Sequence, residues 1–136
     1  MSATLYVSCR KSALPTREKW QQAIDAAGFD VQLSEFEWRS QQGSLPVKAR
    51  RRKTAFELWV EDAAPVAKQL GMTLPAGDDI VVSFVFGPED EEAYAATGAS
   101  AAFAACVNGS YFDEYSRDLL DGPTAISIAH DSLEDS

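Results

Sequence analysis

A chain of 136 residues, 46% hydrophobic and 24% charged, can bury roughly two-thirds of its unfolded surface in one core. That excludes wholesale disorder and removes any need for a metal or disulfide staple. A formal net charge of −9 sets the chain as a whole against polyanions, and no run reaches the roughly 18 apolar residues of a membrane span. The charge is also uneven. Residues 1–60 carry ten Lys/Arg and six Asp/Glu, a balance of +4; residues 61–136 carry two and fifteen, a balance of −13. Asymmetry of this kind bears on which partners are attracted and how fast they arrive.

In chain order, Ala3 to Ser8 alternates and predicts a first strand. Thr16 suits a helix N-cap and Gly28 the position after its end. Between them Trp20, Ala23, Ile24 and Ala27 form one apolar stripe at i, i+3, i+4 and i+7. Phe29 to Leu33 reads as a short strand. Leu45 to Val60 reads as a long hairpin, with Val47 and Ala49 on one face of the first arm. In the second arm Phe56, Leu58 and Val60 share a face, opposite Glu57 and Trp59. The tip, Arg50-Arg51-Arg52-Lys53, is poor chemistry for a two-residue turn, which favours Gly or Asn, so a wider and mobile tip is expected.

Asp62 suits the cap of a short helix carrying Val66, Ala67 and Leu70 and ended by Gly71. After the loop Thr73 to Gly77, the run Ile80 to Phe86 is nearly all apolar and predicts a central strand covered on both faces. Gly87-Pro88 breaks it. Glu89, Asp90, Glu91 and Glu92 suit the first turn of a helix, where the macrodipole favours acids. The helix body to Val107 is mostly Ala, a surface that lets a helix lie close to a sheet. Tyr111 to Leu120 reads as a small hairpin or an irregular segment. A last helix follows Asp121-Gly122-Pro123, with Ile126, Ala129, His130 and Leu133 on its stripe, and Asp131 to Ser136 is expected to fray. The order of elements predicts an α+β fold: a largely antiparallel sheet with helices packed on it, in a single domain spanning residues 1–136.

The chemical inventory is thin. His130 is the only imidazole, and its place on an apolar stripe reads as structural rather than catalytic. Cys9 precedes Arg10-Lys11, a setting that lowers a thiol pKa. Cys106 ends an apolar helix and reads as a small core residue. Cys9 and Cys106 are far apart in sequence. Two cysteines and one histidine with no close spacing do not make a zinc site, and no phosphate-binding loop is present, so neither metal nor cofactor is expected. Without an apolar leader the expected location is the cytosol, where both thiols stay reduced. Asn108-Gly109-Ser110 then reads as a turn rather than a glycosylation site.

Two charged surfaces remain. The acidic one comprises Asp78, Asp79, Glu91, Glu92, Asp113 and Glu114, with Tyr94, Tyr111 and Tyr115 close in sequence as aromatic anchors; Phe112 is a further one. The basic one comprises Trp38, Arg50, Arg51, Arg52 and Trp59. Basic residues interleaved with aromatics can hold single-stranded nucleic acid, provided the rings are exposed.

The stretch from Leu45-Pro46-Val47 through the hairpin to Ala55-Phe56-Glu57 resembles small bacterial immunity-type proteins encoded beside polymorphic or contact-dependent toxins. So does Gly109-Ser110-Tyr111-Phe112-Asp113, running through Leu119-Leu120 into Pro123-Thr124-Ala125-Ile126. A Gly-containing hairpin tip would be more usual in that class than Arg50-Arg51-Arg52. The resemblance implies a non-enzymatic cytosolic antidote that binds one toxin and blocks its active site or cofactor access. An acidic surface fits a cognate toxin with a basic, anion-binding cleft. Two alternatives stand beside it: a nucleic-acid or regulatory binding module using the Arg hairpin, and a small enzyme using carboxylates or a thiol.

Overall fold

The computed structural model describes residues 2–116 and 118–134. Among them, six strands form one antiparallel sheet in the order β2-β3-β4-β5-β1-β6. The strands are β1 (Ala3–Cys9), β2 (Val31–Leu33), β3 (Gly43–Ala49), β4 (Arg52–Asp62), β5 (Ile80–Phe86) and β6 (Ser110–Asp113). The helices are α1 (Arg17–Ala27), α2 (Ala63–Leu70), α3 (Asp90–Val107) and α4 (Gly122–Glu134). The α+β fold expected from the order of elements is the fold observed.

Alternation decides which face meets the helices. Leu5, Val7 and Cys9 on β1, Phe56 and Leu58 on β4, and Ile80, Val82 and Phe84 on β5 all join one core with α1, α3 and α4. Two strand faces that alternate in this way can each be buried on one side only. Among the described helices, only α2 packs on the opposite, outer face, through Ala63 and Val66 against Val81 of β5. β5 is therefore central but not fully covered: Ile80 to Phe84 are buried, while Val85 and Phe86 are half exposed.

α3 is the element the core is built on. Ala95, Ala96, Gly98, Ala99, Ser100, Ala101, Ala102, Phe103 and Ala104 are all buried, which only short side chains allow when a helix touches a sheet and two other helices at once. Trp20, fully buried, fills the space beside it. Its ring meets Phe84, Phe103, Phe36 and Trp38 at centroid distances of 5.3–6.0 Å. Its indole N–H donates to the Ala99 carbonyl at 3.0 Å, so burial leaves no orphan donor. At Gly122, where α4 starts against α3, a Cβ would sit 2.2 Å from the Ala105 Cα.

Both sheet edges are closed by the chain itself. On β2, the Gln21 side chain accepts from the Leu33 N–H at 2.7 Å and donates to the Val31 carbonyl at 2.8 Å. The Arg17 guanidinium donates to the Leu33 carbonyl. On β6, Tyr111 and Leu120 exchange two backbone hydrogen bonds of 2.8 and 2.9 Å, so the segment after β6 returns as a single bridge rather than a second full strand. Covered edges resist pairing with other chains.

The hairpin tip departs from expectation. Ala49 pairs with Arg52, leaving Arg50 and Arg51 as a two-residue turn, both at positive φ (52° and 71°). That is the backbone twist a tight antiparallel hairpin demands, and it overrides the residues' own preference. Neighbours hold the turn. The Arg50 guanidinium lies 4.0 Å from the centroid of the Tyr94 ring, and the Arg50 N–H donates to the Asp30 carbonyl at 3.0 Å. Arg52 pairs with Glu91 at 3.2 Å. At the other end of the chain, Asp131 to Leu133 continue α4; residues 135 and 136 of the segment expected to fray lie outside the described residues.

Two stability predictions follow from these close approaches. Gly122→Ala should lower stability by roughly 1–3 kcal/mol, because a backbone atom cannot move aside as a side chain can; urea denaturation checks it. Arg51→Gly should raise the urea midpoint, by relieving about 1 kcal/mol of left-handed strain at an exposed position.

Candidate functional site

The outer face of the sheet carries a trough set by register. Trp59 pairs with Ser83 across β4 and β5, Ser83 pairs with Tyr6 across β5 and β1, and Tyr6 pairs with Phe112 on β6. A small residue thus stands between two large aromatic ones. With strands about 4.8 Å apart, the Trp59 and Tyr6 backbones are roughly 10 Å from each other. The resulting groove holds about 410 Å³ and is walled by Val66 and Leu70 of α2 and by Val85.

Each aromatic is fixed. The Trp59 indole N–H donates to Glu57 Oε1 at 3.1 Å, and its ring lies over Gly43, where even an added Cβ would be only 3.8 Å away. Tyr6 stacks on Phe112 at 5.1 Å and 16°. Carboxylates surround the pair. Glu57 and Glu61 point to this face from β4, and Glu114 accepts from the Thr4 N–H at 3.1 Å. The Tyr6 hydroxyl is pushed up from its ordinary pKa by burial first, and then by Glu114 and Glu61, which places both acids near it. Among the described residues the one ion pair is Arg52–Glu91, so Glu57, Glu61 and Glu114 have no cationic partner there.

The acidic residues singled out from sequence are dispersed. Asp78 and Asp79 lie at the start of β5, where they fasten local structure. Ser8 Oγ donates to Asp78 at 2.9 Å and the Lys11 N–H donates to Asp79 at 2.6 Å. Glu91, Glu92 and Tyr94 lie at the start of α3, past the other end of β5. Glu92 accepts from the Gly87 N–H at 2.7 Å, and the Tyr94 hydroxyl accepts from the Asp30 N–H at 2.9 Å. Asp113 holds the turn after β6, accepting from the Tyr115 and Ser116 N–H groups. Tyr111 packs against the core, its hydroxyl pushed up to about 12 by burial. Tyr115 is 85% exposed. Of these acids only Glu114 lies beside the trough, bonded to the Thr4 N–H and close to Tyr6.

The basic set is dispersed too. Trp38 stacks on Trp20, and its indole donates to the Pro15 carbonyl at 2.6 Å. Trp59 faces the trough. Neither ring flanks the Arg turn, and the ring that does, Tyr94, is already covered by Arg50. The two charged halves of the chain therefore meet at Arg52–Glu91 rather than standing apart.

The remaining candidates for chemistry are held in structural roles. His130 stacks on Phe29 at 4.3 Å and 10°. Its Nε2 is 2.6 Å from the Ala27 carbonyl, which can only accept, so Nε2 carries the proton. Cys9 does not have the lowered pKa that Arg10-Lys11 suggested: it is 1% exposed, and burial, with Asp78 and Asp79 nearby, pushes the thiol up to about 12. Cys106 is half exposed rather than a core residue. No group of three or more His, Cys, Asp or Glu suited to a metal ion occurs among the described residues.

No family model, curated protein or solved structure matches the chain significantly.

Cys9 makes a pH prediction. A thiol kept protonated in the fold but free to ionise when unfolded binds more protons in the folded state. Stability should therefore fall as pH rises between about 9 and 12, and Cys9→Ala should flatten that fall. Urea titrations at about pH 8 and about pH 10.5 measure the slope.

Proposed function

We propose that this chain is a non-enzymatic inhibitor of the immunity type, which neutralises a basic protein partner by seating one of the partner's Arg or Lys side chains in the outer-face trough. The observation that carries this reading is the row Trp59–Ser83–Tyr6, with Glu61 on the trough wall, Glu57 bonded to Trp59 and Glu114 bonded to Thr4 beside Tyr6. A cation between two aromatic rings gains from both π faces, most of all when desolvated. The carboxylates add charge complementarity and steer the encounter, while the fixed rings lose little freedom on binding. A bound cation would also relieve the unfavourable field that Glu114 and Glu61 place on the Tyr6 hydroxyl. Interfaces concentrate their energy in a few such aromatic anchors inside a polar rim. The bacterial cytosol is the setting this role requires.

Kinetics with a toxin domain encoded beside the gene test the proposal. Trp59→Ala should weaken binding by about 30-fold, the scale of a 2 kcal/mol anchor, mainly through faster dissociation. Reversing Glu57 and Glu61 to Lys should slow association and flatten its dependence on salt. If both variants bind as wild type does and Arg51→Ala loses binding, the basic hairpin is the working surface and the proposal fails.

A further inference from the structure

A second concavity, of about 620 Å³, opens where α1 meets the β2-β3-β4 end of the sheet. Its walls include Leu33, Pro46 and Val47, and its cations are Arg17, Lys48 and Lys53, against one carboxylate, Asp25. Asp25 accepts a hydrogen bond from the Gln21 side chain at 3.0 Å. Lys48 and Lys53 pair directly across β3 and β4, so their side chains leave the sheet side by side on one face. Like charges directly opposed in a ladder are destabilising. The chain holds 21 acids, yet neither lysine has a carboxylate partner among the described residues. One step along the same ladder, Arg52 has Glu91. Ser34, on the cavity wall, has a buried Oγ with no hydrogen-bond partner.

We infer that this cavity is a binding site for a small multivalent oxyanion, a ligand with two adjacent phosphate or carboxylate groups. Two ammonium groups held side by side match two such groups, and each contact is charge-assisted. The Arg17 guanidinium, anchored on the Leu33 carbonyl, supplies a third, fixed cation at the rim. Pro46, exposed on the wall, offers apolar surface to the organic part of the ligand, and the volume is that of a small-molecule site. The site is separate from the Trp59–Tyr6 trough and does not rest on the inhibitor reading. A small ligand fits better than a nucleic acid strand, because no aromatic ring to stack a base is among the described residues that line the cavity.

Calorimetric titration at low, constant ionic strength tests the site with three probes: sodium pyrophosphate, sodium citrate and a single-stranded oligonucleotide. Pyrophosphate should bind with a Kd below about 1 mM and raise the melting temperature. Lys48→Met and Lys53→Met should each weaken it by about tenfold or more, and should raise the melting temperature of the ligand-free protein by removing the like-charge contact. Arg51→Ala, at the exposed turn, should bind as wild type does. Citrate binding equal to pyrophosphate assigns a site that reads oxyanion spacing; pyrophosphate alone assigns a phosphate site. Absence of binding by both small probes overturns the inference, as does binding that survives both lysine substitutions. An oligonucleotide that binds more tightly than pyrophosphate and depends on Arg51 also overturns it, in favour of a nucleic-acid surface.

Discussion

The structure depends on how closely α3 lies against its neighbours. A helix that touches the sheet, α1 and α4 at once cannot carry large side chains around its girth, and the buried residues of α3 are accordingly Ala, Gly and Ser, with Phe103 and Val107 as the exceptions. The space its short side chains leave is filled from outside by Trp20, whose hydrogen bond to the Ala99 carbonyl locks α1 to α3 at one depth. Phe84 and Phe103 complete the same cluster. Close packing of this kind is intolerant of added volume, which is why glycine stands where α4 begins against Ala105.

Placing three helices on one face has a consequence for the other. Only α2 is left to cover it, and eight residues span a fraction of a six-stranded sheet. The outer positions beyond α2 must therefore tolerate water, and Thr4, Tyr6, Ser83, Trp59, Glu57 and Glu61 fill them, with Val81 and Val85 as the apolar positions on β5. The trough between Trp59 and Tyr6 thus arises from an incomplete second layer together with one small residue, Ser83, in the row between two large ones. Ring surface that is half buried and flanked by carboxylates with no cationic partner among the described residues is poorly served by water alone, which is the physical basis for proposing a cationic partner.

The charged runs divide between structure and surface in a way that their order in the chain does not show. Asp78, Asp79, Glu92 and Asp113 spend their oxygens on backbone or hydroxyl donors nearby. Arg50 and Arg52 are committed to Tyr94 and Glu91. Among the described residues, those without an ion-pair partner include Arg51 at the strained turn, the opposed Lys48 and Lys53, and the carboxylates around the trough. A left-handed turn made of two arginines is kept by the twist of the ladder it closes and by the contacts on either side, against local preference.

Local periodicity determined much of this protein. The stripe Trp20, Ala23, Ile24, Ala27, the Thr16 cap with its bond to the Lys19 N–H, the apolar run Ile80 to Phe86 and the Ala-rich helix after the four acids are all local patterns, and each formed the element its spacing implied. So did the assignment of Glu57 and Trp59 to the face opposite Phe56 and Leu58. Tertiary structure decided what depends on partners distant in sequence: the pairing of Trp59 with Ser83 and of Ser83 with Tyr6, the burial that raises the Cys9 thiol, the half exposure of Cys106, the tight Arg50-Arg51 turn, and the contact between basic and acidic runs at Arg52–Glu91. The reason is register. A sequence shows which residues share a face of their own strand, but which residues stand beside them is set by how strands pair across 24 or 77 positions, as from Trp59 to Ser83 and from Tyr6 to Ser83, and only the packed fold fixes that.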